Sequence, residues 1–410
     1  MNTYTLLDLE YWSKEIETMI IKEGLDCYLQ EFELVTLEDM MCIQAYMGLP
    51  THYSHWSFGK AYMRLKNFYE QGLQGVPYEI VIHSDPCIAY LLKNNSLVLQ
   101  ILTMAHVYGH NDFFKNNRLY QDIQPKRSIE MFHTYRQRLE EYREHPFVGD
   151  QRVESLLDRA HSIRWQCHEE SLLQFFIDHG NLEEWEKEVL YIIKEETRYF
   201  KPQIETKIIN EGWATWWHYR ICNQLLFQRE DLYLEFLVHH NQITAPRWYE
   251  VNPYALGFYL FEKLFQQYGT IEKLFEIRRM ERDVSFIRKY LTEERCQELN
   301  LFLYEKNKKK YPPFKKQEER NIAKVKEQLL LSIGMEGIPC IQPLDWDIKK
   351  RVLYLKHEYD GRELDFMYAS ETLKYIAGLW KGKVILRTYM DEKKQQLICE
   401  PDKKIFVQNK

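Results

Sequence analysis

Long apolar runs, a surplus of positive charge and abundant glycine or proline are all missing from this chain. No apolar run approaches the roughly 18 residues of a membrane-spanning helix, so we expect no membrane span. The net charge is −6, from 55 basic and 61 acidic residues, which leaves no overall basic field to attract nucleic acid. Only 16 Gly and 13 Pro occur among 410 residues, which excludes collagen-like and low-complexity chains.

Paired cysteines and several common catalytic signatures are also missing. The eight cysteines are scattered without a CxxC pair, which is typical of reduced thiols rather than of a disulfide framework. The first twenty residues include acidic side chains and lack the basic, apolar and small-residue order of a secretory signal. We therefore expect a cytoplasmic protein. No GxxxxGKS/T, GxGxxG or GxSxG occurs, so the P-loop, dinucleotide-binding and serine-hydrolase classes lack their signatures.

What the chain does have is 45% hydrophobic and 15% aromatic residues, enough for a large packed core. Spacing and turn residues predict a mainly α-helical body. We predict helices over 5–32, 57–71 and 252–269, several helices within 127–200, and one that follows the Asn-Glu-Gly at 210–212 and runs to about 228. A short strand is predicted over 78–86. An apolar stretch over 96–114 carries two histidines.

The composition changes towards the C-terminal part of the chain. The lysine-rich run 305–320 contains Pro-Pro and few apolar residues, which is typical of an exposed connection. Beyond about residue 335, strand-like segments surround one helix at 361–380. We therefore predict a helical domain over 1–310, a linker over 311–334 and a small α+β domain over 335–410.

The segment MAHVYGHNDFF places two histidines one helical turn apart. His106 and His110 lie at i and i+4, so on a helix both imidazoles leave the same face, about 40° apart. Two histidines so placed can bind one divalent ion, although core packing produces the same spacing. Asp112 follows His106 by six residues and points away if the helix persists.

A second segment, IINEGWATWWHYR, places Glu211, Thr215 and His218 on one helical face. It resembles the helix of gluzincin metallopeptidases, in which an Asn-Glu-Gly-aromatic-Ala segment supplies a third, carboxylate, zinc ligand. By that resemblance His106, His110 and Glu211 form a His₂Glu site with one position open for water, the arrangement of a catalytic zinc. The alternative is that Glu211 is an acid favoured in the first turn of a helix by the helix dipole.

Two features depart from the metallopeptidase pattern. His110 and Glu211 lie much farther apart in sequence than the corresponding ligands of gluzincins. Val107 occupies the position at which the glutamate of HExxH acts as general base. Three alternatives follow: the general base comes from elsewhere in the chain, the metal serves a reaction other than peptide hydrolysis, or the site is not hydrolytic. The candidate acids, which no local spacing constrains, are Glu79, Glu169, Glu170, Glu195 and Glu196.

Other histidines and one cysteine have two interpretations each. His52 and His55 either line the same pocket or cap a loop, whereas the diverging pair His239–His240 is predicted to lie at the surface. His161 and His168, seven residues apart, are predicted on a solvated helix face. Cys87 has no fixed histidine neighbour, so a catalytic thiol is not expected there.

Six segments occur in an order that resembles a known family. They are PTHYSHWSFGK, SDPCIAYLLKNNS, AHVYGHNDFFKNN, NEGWATWWH, NPYALGF and SFIRKYLTEE. These segments look like the hallmarks of the SpoVR family, named for stage V sporulation protein R, and LYLKHEYDGRELDFMYASETLKYI resembles its C-terminal region. The resemblance extends from about residue 5 to 405. It implies a bacterial cytoplasmic protein linked to the spore cortex, which is a peptidoglycan layer.

The observations together give one leading hypothesis and two alternatives. The leading hypothesis is a zincin-like helical body in which His106, His110 and Glu211 hold a divalent metal, expected to be zinc. Glu211 and His218 are the expected catalytic residues, with His218 as a fourth ligand or as a donor to oxyanion charge. The expected substrate is a peptide or peptidoglycan precursor. The alternatives are a non-catalytic scaffold that binds sporulation proteins through a structural polar cluster, and a non-haem Fe(II) site.

Overall fold

The computed structural model describes residues 4–49, 51–71, 77–166, 171–247, 251–301, 304–306, 314–316 and 322–409. The chain is mainly helical with a C-terminal sheet module, as predicted. It divides into two compact units: Met1–His133 with Glu205–Ile333 form the first unit, and Thr134–Ile204 with Gly334–Lys410 form the second. Among the described residues, no helix is both long and apolar enough to cross a membrane.

The α-helices run in chain order through both units. They are α1 (Leu6–Glu23), α2 (Leu37–Ala45), α3 (Trp56–Glu70), α4 (Leu97–Asn116), α5 (Pro125–Glu144), α6 (Asp150–Ile163), α7 (Leu172–His179), α8 (Glu184–Glu205), α9 (Lys207–Leu226), α10 (Glu230–Ile243), α11 (Pro253–Tyr268), α12 (Ile271–Met280), α13 (Asp283–Tyr290), α14 (Glu293–Glu298), α15 (Ile322–Ser332) and α16 (Phe366–Trp380).

The strands form three sheets. They are β1 (Gln30–Val35), β2 (Glu79–Ile82), β3 (Cys87–Leu92), β4 (Tyr304–Lys306), β5 (Phe314–Lys316), β6 (Ile341–Asp347), β7 (Val352–His357), β8 (Lys383–Met390), β9 (Lys393–Cys399) and β10 (Ile405–Asn409). The first unit contains the sheet β1-β3-β2 and the short β4-β5 pair, and the second unit contains the sheet β10-β9-β8-β7-β6.

The first helix is shorter than the sequence pattern predicted. Thr5 and Asp8 form a capping box that begins α1, and Gly24 ends it in the left-handed conformation, with φ of +86°. The predicted helix over 5–32 is therefore wrong beyond Gly24, because the chain leaves the helix there and enters β1. By contrast, α3 and α11 match their predictions, and α11 lies between an Asn252 cap and a left-handed Gly269, as the sequence indicated.

Three helices form the centre of the first unit. The apolar stretch 96–114 forms most of α4, and nearly every residue of that helix is buried. The backbones of α4 and α9 approach closely at Gly109, where an added Cβ would lie 2.6 Å from the Cα of Ala214. In the same way Gly212 of α9 meets Gly257 of α11, where an added Cβ would lie 2.3 Å from the Cα of Gly257. Small residues at these contacts let the helices pack nearly backbone to backbone.

A small mixed sheet lies beside α4. Strand β1 pairs in parallel with β3, and β2 pairs antiparallel with β3. The predicted strand over 78–86 is confirmed by β2, whereas β1 and β3 were not predicted. Strand β3 is buried at nearly every position, so it lacks the alternation that identifies a strand in sequence. Strand β2 contacts α4, which brings Glu79 towards the α4 histidines.

The second unit combines a five-stranded sheet with helices from two parts of the chain. Helix α16 packs on β8, on β9 and on α6. The helix α16 and the strands β7 to β10 match the predicted C-terminal module, and β6 is an additional edge strand. The compact units differ from the predicted linear division, because residues 134–204 group with the C-terminal residues. The segment predicted as linker also differs: α15 lies within it and buries Val325 and Leu329 in the first unit.

Candidate metal centre

Helix α4 carries two buried imidazoles on one face. His106 and His110 lie one turn apart, and their rings meet edge to face with centroids 4.6 Å apart. The i, i+4 spacing therefore has the geometry that the sequence predicted. The helix continues through Asn116, so Asp112 points elsewhere, where its carboxylate accepts a hydrogen bond from Trp213 and pairs with Arg278.

Helix α9 brings Glu211 against both imidazoles. The carboxylate Oε2 lies 3.6 Å from Nε2 of His106 and 3.5 Å from Nε2 of His110. Helix α9 begins at Lys207, before the Asn-Glu-Gly segment and not after it, so Glu211 lies one turn into the helix. The structure thus brings together His106, His110 and Glu211, although about a hundred residues separate α4 from α9.

Strand β2 adds a second carboxylate. Oε1 of Glu79 lies 3.8 Å from Nε2 of His106. Glu79, His106 and His110 each offer one ligand atom, and these three atoms lie within 4.8 Å of one another. Of the other candidate acids, Glu195 and Glu196 belong to the second unit, where Glu195 pairs with Arg198 and the buried Glu196 pairs with Arg164. Glu169, Glu170 and His168 lie outside the described residues.

The pKa values of the groups in this cluster depend on burial and on the neighbouring charges. Burial raises the pKa of Glu79 to about 7, and the charge of Glu211 adds to the rise while His106 opposes it. Burial lowers the pKa of His110 to about 4, with a further contribution from His106. For Glu211 burial acts to raise the pKa, but the imidazoles of His106 and His110 outweigh it, so the pKa is lowered. Glu211 is therefore the more readily ionised of the two acids.

Two atoms at the centre of the cluster have no hydrogen-bond partner among the residues that the structure describes. They are Nε2 of His106 and Oε2 of Glu211, which are both buried and face each other. Unsatisfied buried polar atoms are costly, and native proteins rarely contain them without a reason. A divalent cation bound to both atoms would satisfy them. Ligand atoms at about 2.0–2.2 Å from one ion lie about 3.4 Å apart in a tetrahedral site, close to the separations of Glu211 from the two imidazoles.

The donor set suits a divalent cation of intermediate softness. Imidazole and carboxylate together bind zinc in many enzymes, and the same ligand types also bind non-haem iron. His110 is oriented for such a role, because its Nδ1 donates to Oδ1 of Asn210 at 2.9 Å and leaves Nε2 free to coordinate. The residues present therefore fit a bound metal.

His218 occupies a supporting position behind His106. Its Nδ1 lies 3.0 Å from Nδ1 of His106, and its Nε2 lies 2.9 Å from Nδ1 of His240. Both ring nitrogens of His218 are thus engaged, which differs from the expected fourth ligand or oxyanion donor. The prediction of a surface location is wrong for His240, which is only 4% exposed because α10 turns it inwards against Tyr219. His239 lies beside Glu235.

Tyr254 is a site residue that the sequence analysis did not identify. It lies in the first turn of α11, and its ring stacks on His106 with centroids 5.9 Å apart. The charge of Glu211 and burial raise the pKa of its phenol well above the usual value, so the hydroxyl stays protonated. The segment NPYALGF contains this tyrosine, but only its helix-starting Asn-Pro was informative in isolation.

The remaining candidates do not form part of the metal cluster. His52 and His55 pack against Phe58, and Nδ1 of His55 accepts a hydrogen bond from the Ser57 backbone at the start of α3, which matches the capping interpretation. His161 lies on α6 in the second unit. Cys87 is fully buried, and burial raises the pKa of its thiol, which disfavours the reactive thiolate.

Comparison with known proteins identifies the family. The family model described as "SpoVR like protein" matches residues 3–170 and 165–338, and the model described as "SpoVR-like C-terminal domain" matches residues 339–391. The uncharacterized protein YcgB of Escherichia coli strain K12 is 29% identical over 489 aligned positions, which cover 97% of this chain and 95% of YcgB. No solved structure shows a significant match. Since the two family models together cover most of its length, the chain belongs to the SpoVR family, whose membership suggests a sporulation-related protein.

Proposed function

We propose that this protein is a metal-dependent hydrolase of amide or peptide bonds, with His106, His110 and Glu211 as the metal ligands. The observation that carries the proposal is the convergence of two imidazoles and one carboxylate. Within the described part of the chain, the buried Nε2 of His106 and Oε2 of Glu211 have no hydrogen-bond partner. A zinc ion held by this ligand set would supply a Lewis acid and an activated water. In this proposal α4 supplies the two histidine ligands and α9 supplies the carboxylate ligand, as in gluzincins.

Glu79 is the residue that we assign as general base, in the role that Val107 cannot fill. Its carboxylate approaches the imidazoles from β2, on an element separate from the three proposed ligands. In the proposed step, Glu79 takes a proton from the attacking water as the new C–O bond forms. The same proton then passes to the leaving nitrogen as the C–N bond breaks. The side chains of Glu79 and Glu211 remain 14% and 19% exposed, so solvent reaches the acids while the imidazoles are buried.

Tyr254 is assigned a role in the same reaction, and it lies on α11. Its hydroxyl stays protonated beside Glu211, so it is a hydrogen-bond donor that can face the oxygen on which charge develops during acyl transfer. His218 acts on His106 and not on the substrate. The assigned roles are therefore metal ligands on α4 and α9, a base on β2 and a donor on α11.

The proposed biological setting follows from the family. SpoVR membership suggests a sporulation-related protein. We place its action in the cytoplasm, on a peptide or peptidoglycan precursor that contributes to the spore cortex. Such precursors carry the amide bonds that the proposed chemistry cleaves.

Metal analysis of the purified protein tests the proposal. Anaerobic purification followed by mass spectrometry is expected to find about one equivalent of a divalent metal, since the described ranges contain one such donor cluster. His106→Ala and Glu211→Ala should lose that metal, whereas His239→Ala, a substitution outside the cluster, should keep it. Equal metal content in all four proteins would overturn the proposal. The ion found, zinc or iron, decides between hydrolytic and redox chemistry.

An interaction role is the second candidate, and a specific surface supports it. Phe366, Met367 and Tyr368 are consecutive, exposed side chains at the start of α16 in the second unit. Exposed apolar patches often mark protein-binding sites. If the protein is a scaffold, Met367→Glu should abolish function in a spore-forming host that lacks its own copy, while His106→Ala should not. The hydrolase proposal expects His106→Ala to abolish function.

A further inference from the structure

Three buried histidines form a hydrogen-bonded chain that ends at the proposed metal centre. Nδ1 of His106 lies 3.0 Å from Nδ1 of His218, and Nε2 of His218 lies 2.9 Å from Nδ1 of His240. Each ring belongs to a different helix: α4, α9 and α10. All three rings are buried. His218 uses both of its ring nitrogens in this chain, so it links the other two.

Protons can be arranged along this chain in only two ways when the rings are neutral. A neutral imidazole carries one N–H, and each of the two hydrogen bonds needs one donor and one acceptor. In the first arrangement His106 donates from Nδ1 to His218, and His218 donates from Nε2 to His240. In the second arrangement both bonds are reversed, and the proton of His106 sits on Nε2. Only the first arrangement leaves a lone pair on Nε2 of His106.

Burial favours a neutral ring at His240, the far end of this chain. Charged imidazolium is disfavoured away from water, and burial lowers the pKa of His240 to about 4. His240 is also fixed in position, because its ring packs edge to face on Phe258 with centroids 4.9 Å apart. The far end of the chain is therefore held in position by packing, and in the first arrangement Nδ1 of His240 is the acceptor.

We propose that His218 and His240 are positioning residues that hold His106 in the tautomer able to bind metal through Nε2. This inference rests on the metal centre of the proposed function. Metal-binding histidines generally donate their second N–H to a carboxylate, carbonyl or water, which fixes the tautomer. Here a neutral imidazole takes that place. A neutral acceptor suits this centre, because Glu79 and Glu211 already supply two carboxylates that balance the charge of a divalent ion.

The two proposed ligands on α4 are then oriented by different means. His110 donates directly to Oδ1 of Asn210. An amide oxygen can accept a hydrogen bond but cannot donate one, so this contact fixes the tautomer of His110. His106 donates to a ring whose own tautomer can reverse, so it needs His240 to fix the direction. Removing His240 frees His218 to carry its proton on Nδ1. That proton would point at Nδ1 of His106 and shift the His106 proton onto Nε2.

Zinc affinity of the full-length chain tests this inference. Competition against a chelator should show that His240→Ala binds zinc about 10- to 100-fold more weakly than the wild type, the usual effect of losing such a support. His240→Asn should restore most of the affinity, because its Oδ1 occupies nearly the position of Nδ1. His239→Ala, the neighbouring histidine outside the chain, should bind zinc as the wild type does.

Nitrogen NMR of the histidine rings in the zinc-loaded wild type gives a second readout that needs no variant. We expect the proton of His218 on Nε2 and that of His106 on Nδ1. A proton on Nδ1 of His218, or wild-type zinc affinity in His240→Ala, would overturn the inference while leaving the metal centre in place. Failure of the wild type to bind zinc would instead remove the metal centre itself.

Discussion

Three acids of the first unit, the buried Asp283 and the half-buried Glu79 and Glu211, differ in what stabilises their charge. Glu211 lies against two imidazoles, and its pKa is lowered despite burial. Glu79 is farther from those rings, and burial raises its pKa to about 7. Asp283, the first residue of α13, is buried, and its carboxylate accepts hydrogen bonds at the start of α9 from the backbone N–H groups of Ile208 and Ile209, both at 2.9 Å. Burial nevertheless raises the pKa of Asp283 to about 7. Glu211 thus suits metal binding, Glu79 proton transfer and Asp283 helix capping.

Substitution of Glu79 separates proton transfer from metal binding. Glu79→Gln should keep its metal, because His106, His110 and Glu211 remain. We expect it to lose the function, since a general base typically contributes about 10²- to 10⁴-fold to a rate. Metal content by mass spectrometry and cortex peptidoglycan in a complemented spore former measure the two effects. Glu31→Gln, on the exposed side of β1, is the control; a functional Glu79→Gln protein would exclude Glu79 as the base.

Asp283 makes stability depend on pH in a defined direction. Its folded-state pKa lies above the ordinary value of 3.8, so the folded chain binds this proton more tightly than the unfolded chain does. Its contribution to the free energy of unfolding should be full below about pH 4 and fall as the pH rises to about 7. The slope is at most about 1.4 kcal/mol per pH unit.

Denaturant unfolding at a series of pH values isolates this contribution. The free energy of unfolding of the wild type minus that of Asp283→Asn should decrease between pH 4 and 7, because Asn does not titrate. The exposed Asp231, in the first turn of α10, provides the control Asp231→Asn. A difference curve for Asp283→Asn that is flat across this range would contradict the assignment.

At the scale of elements, the metal centre depends on how closely α4, α9 and α11 pack. Gly109 of α4, three residues after His106, lies against Ala214 of α9, which is three residues after Glu211. Gly212 follows Glu211 directly and lies against Gly257 of α11, the helix that carries Tyr254. The same glycine contacts that join the helices therefore set the distances between the site residues.

Adding one methyl group at the contact of Gly109 with Ala214 should increase the distances between the site residues of α4 and α9. In Gly109→Ala the new Cβ would lie 2.6 Å from a backbone carbon of α9, so the helices must move apart. We expect a loss of about 1–3 kcal/mol in the free energy of unfolding, typical of overpacking, together with weaker zinc binding. Gly59→Ala is the control, because Gly59 lies in α3 with nothing near its Cβ, and it should gain up to about 1 kcal/mol. Equal zinc affinity in both variants would show that the α4–α9 distance does not set the site.

At the scale of the whole molecule, the predictable features are those set by local geometry. The spacing of His106 and His110 is a property of any helix, and Asn252 and Gly269 mark the ends of α11 through their own caps. The proximity of Glu211 to both histidines was expected only from the resemblance to another helix. The strands β7 to β10 and α16 followed from their alternation and helical spacing.

The features that were not predicted depend on contacts between distant segments. Glu79 reaches the site through the pairing of β2 with β3, and His240 is buried by packing between α9 and α10. Neither contact leaves a periodic signal in the sequence. The grouping of residues 134–204 with the C-terminal sheet arises in the same way, because α6 packs against α16 from more than two hundred residues away. Local patterns identify elements, but not which elements meet.

Metal binding should therefore slow hydrogen exchange in the first unit and leave exchange in the second unit unchanged. The proposed ligands lie on α4 and α9 of the first unit. Free zinc at 100 times its dissociation constant adds about 2.7 kcal/mol to the stability of the state that binds it. We expect hydrogen exchange measured by mass spectrometry to slow in peptides from α4 and α9 when zinc is added, while peptides from β6 to β10 exchange as before. His106→Ala should show no zinc-dependent slowing. Slowing that persists in this variant, or that appears only in the second unit, would locate the metal elsewhere than between these two helices.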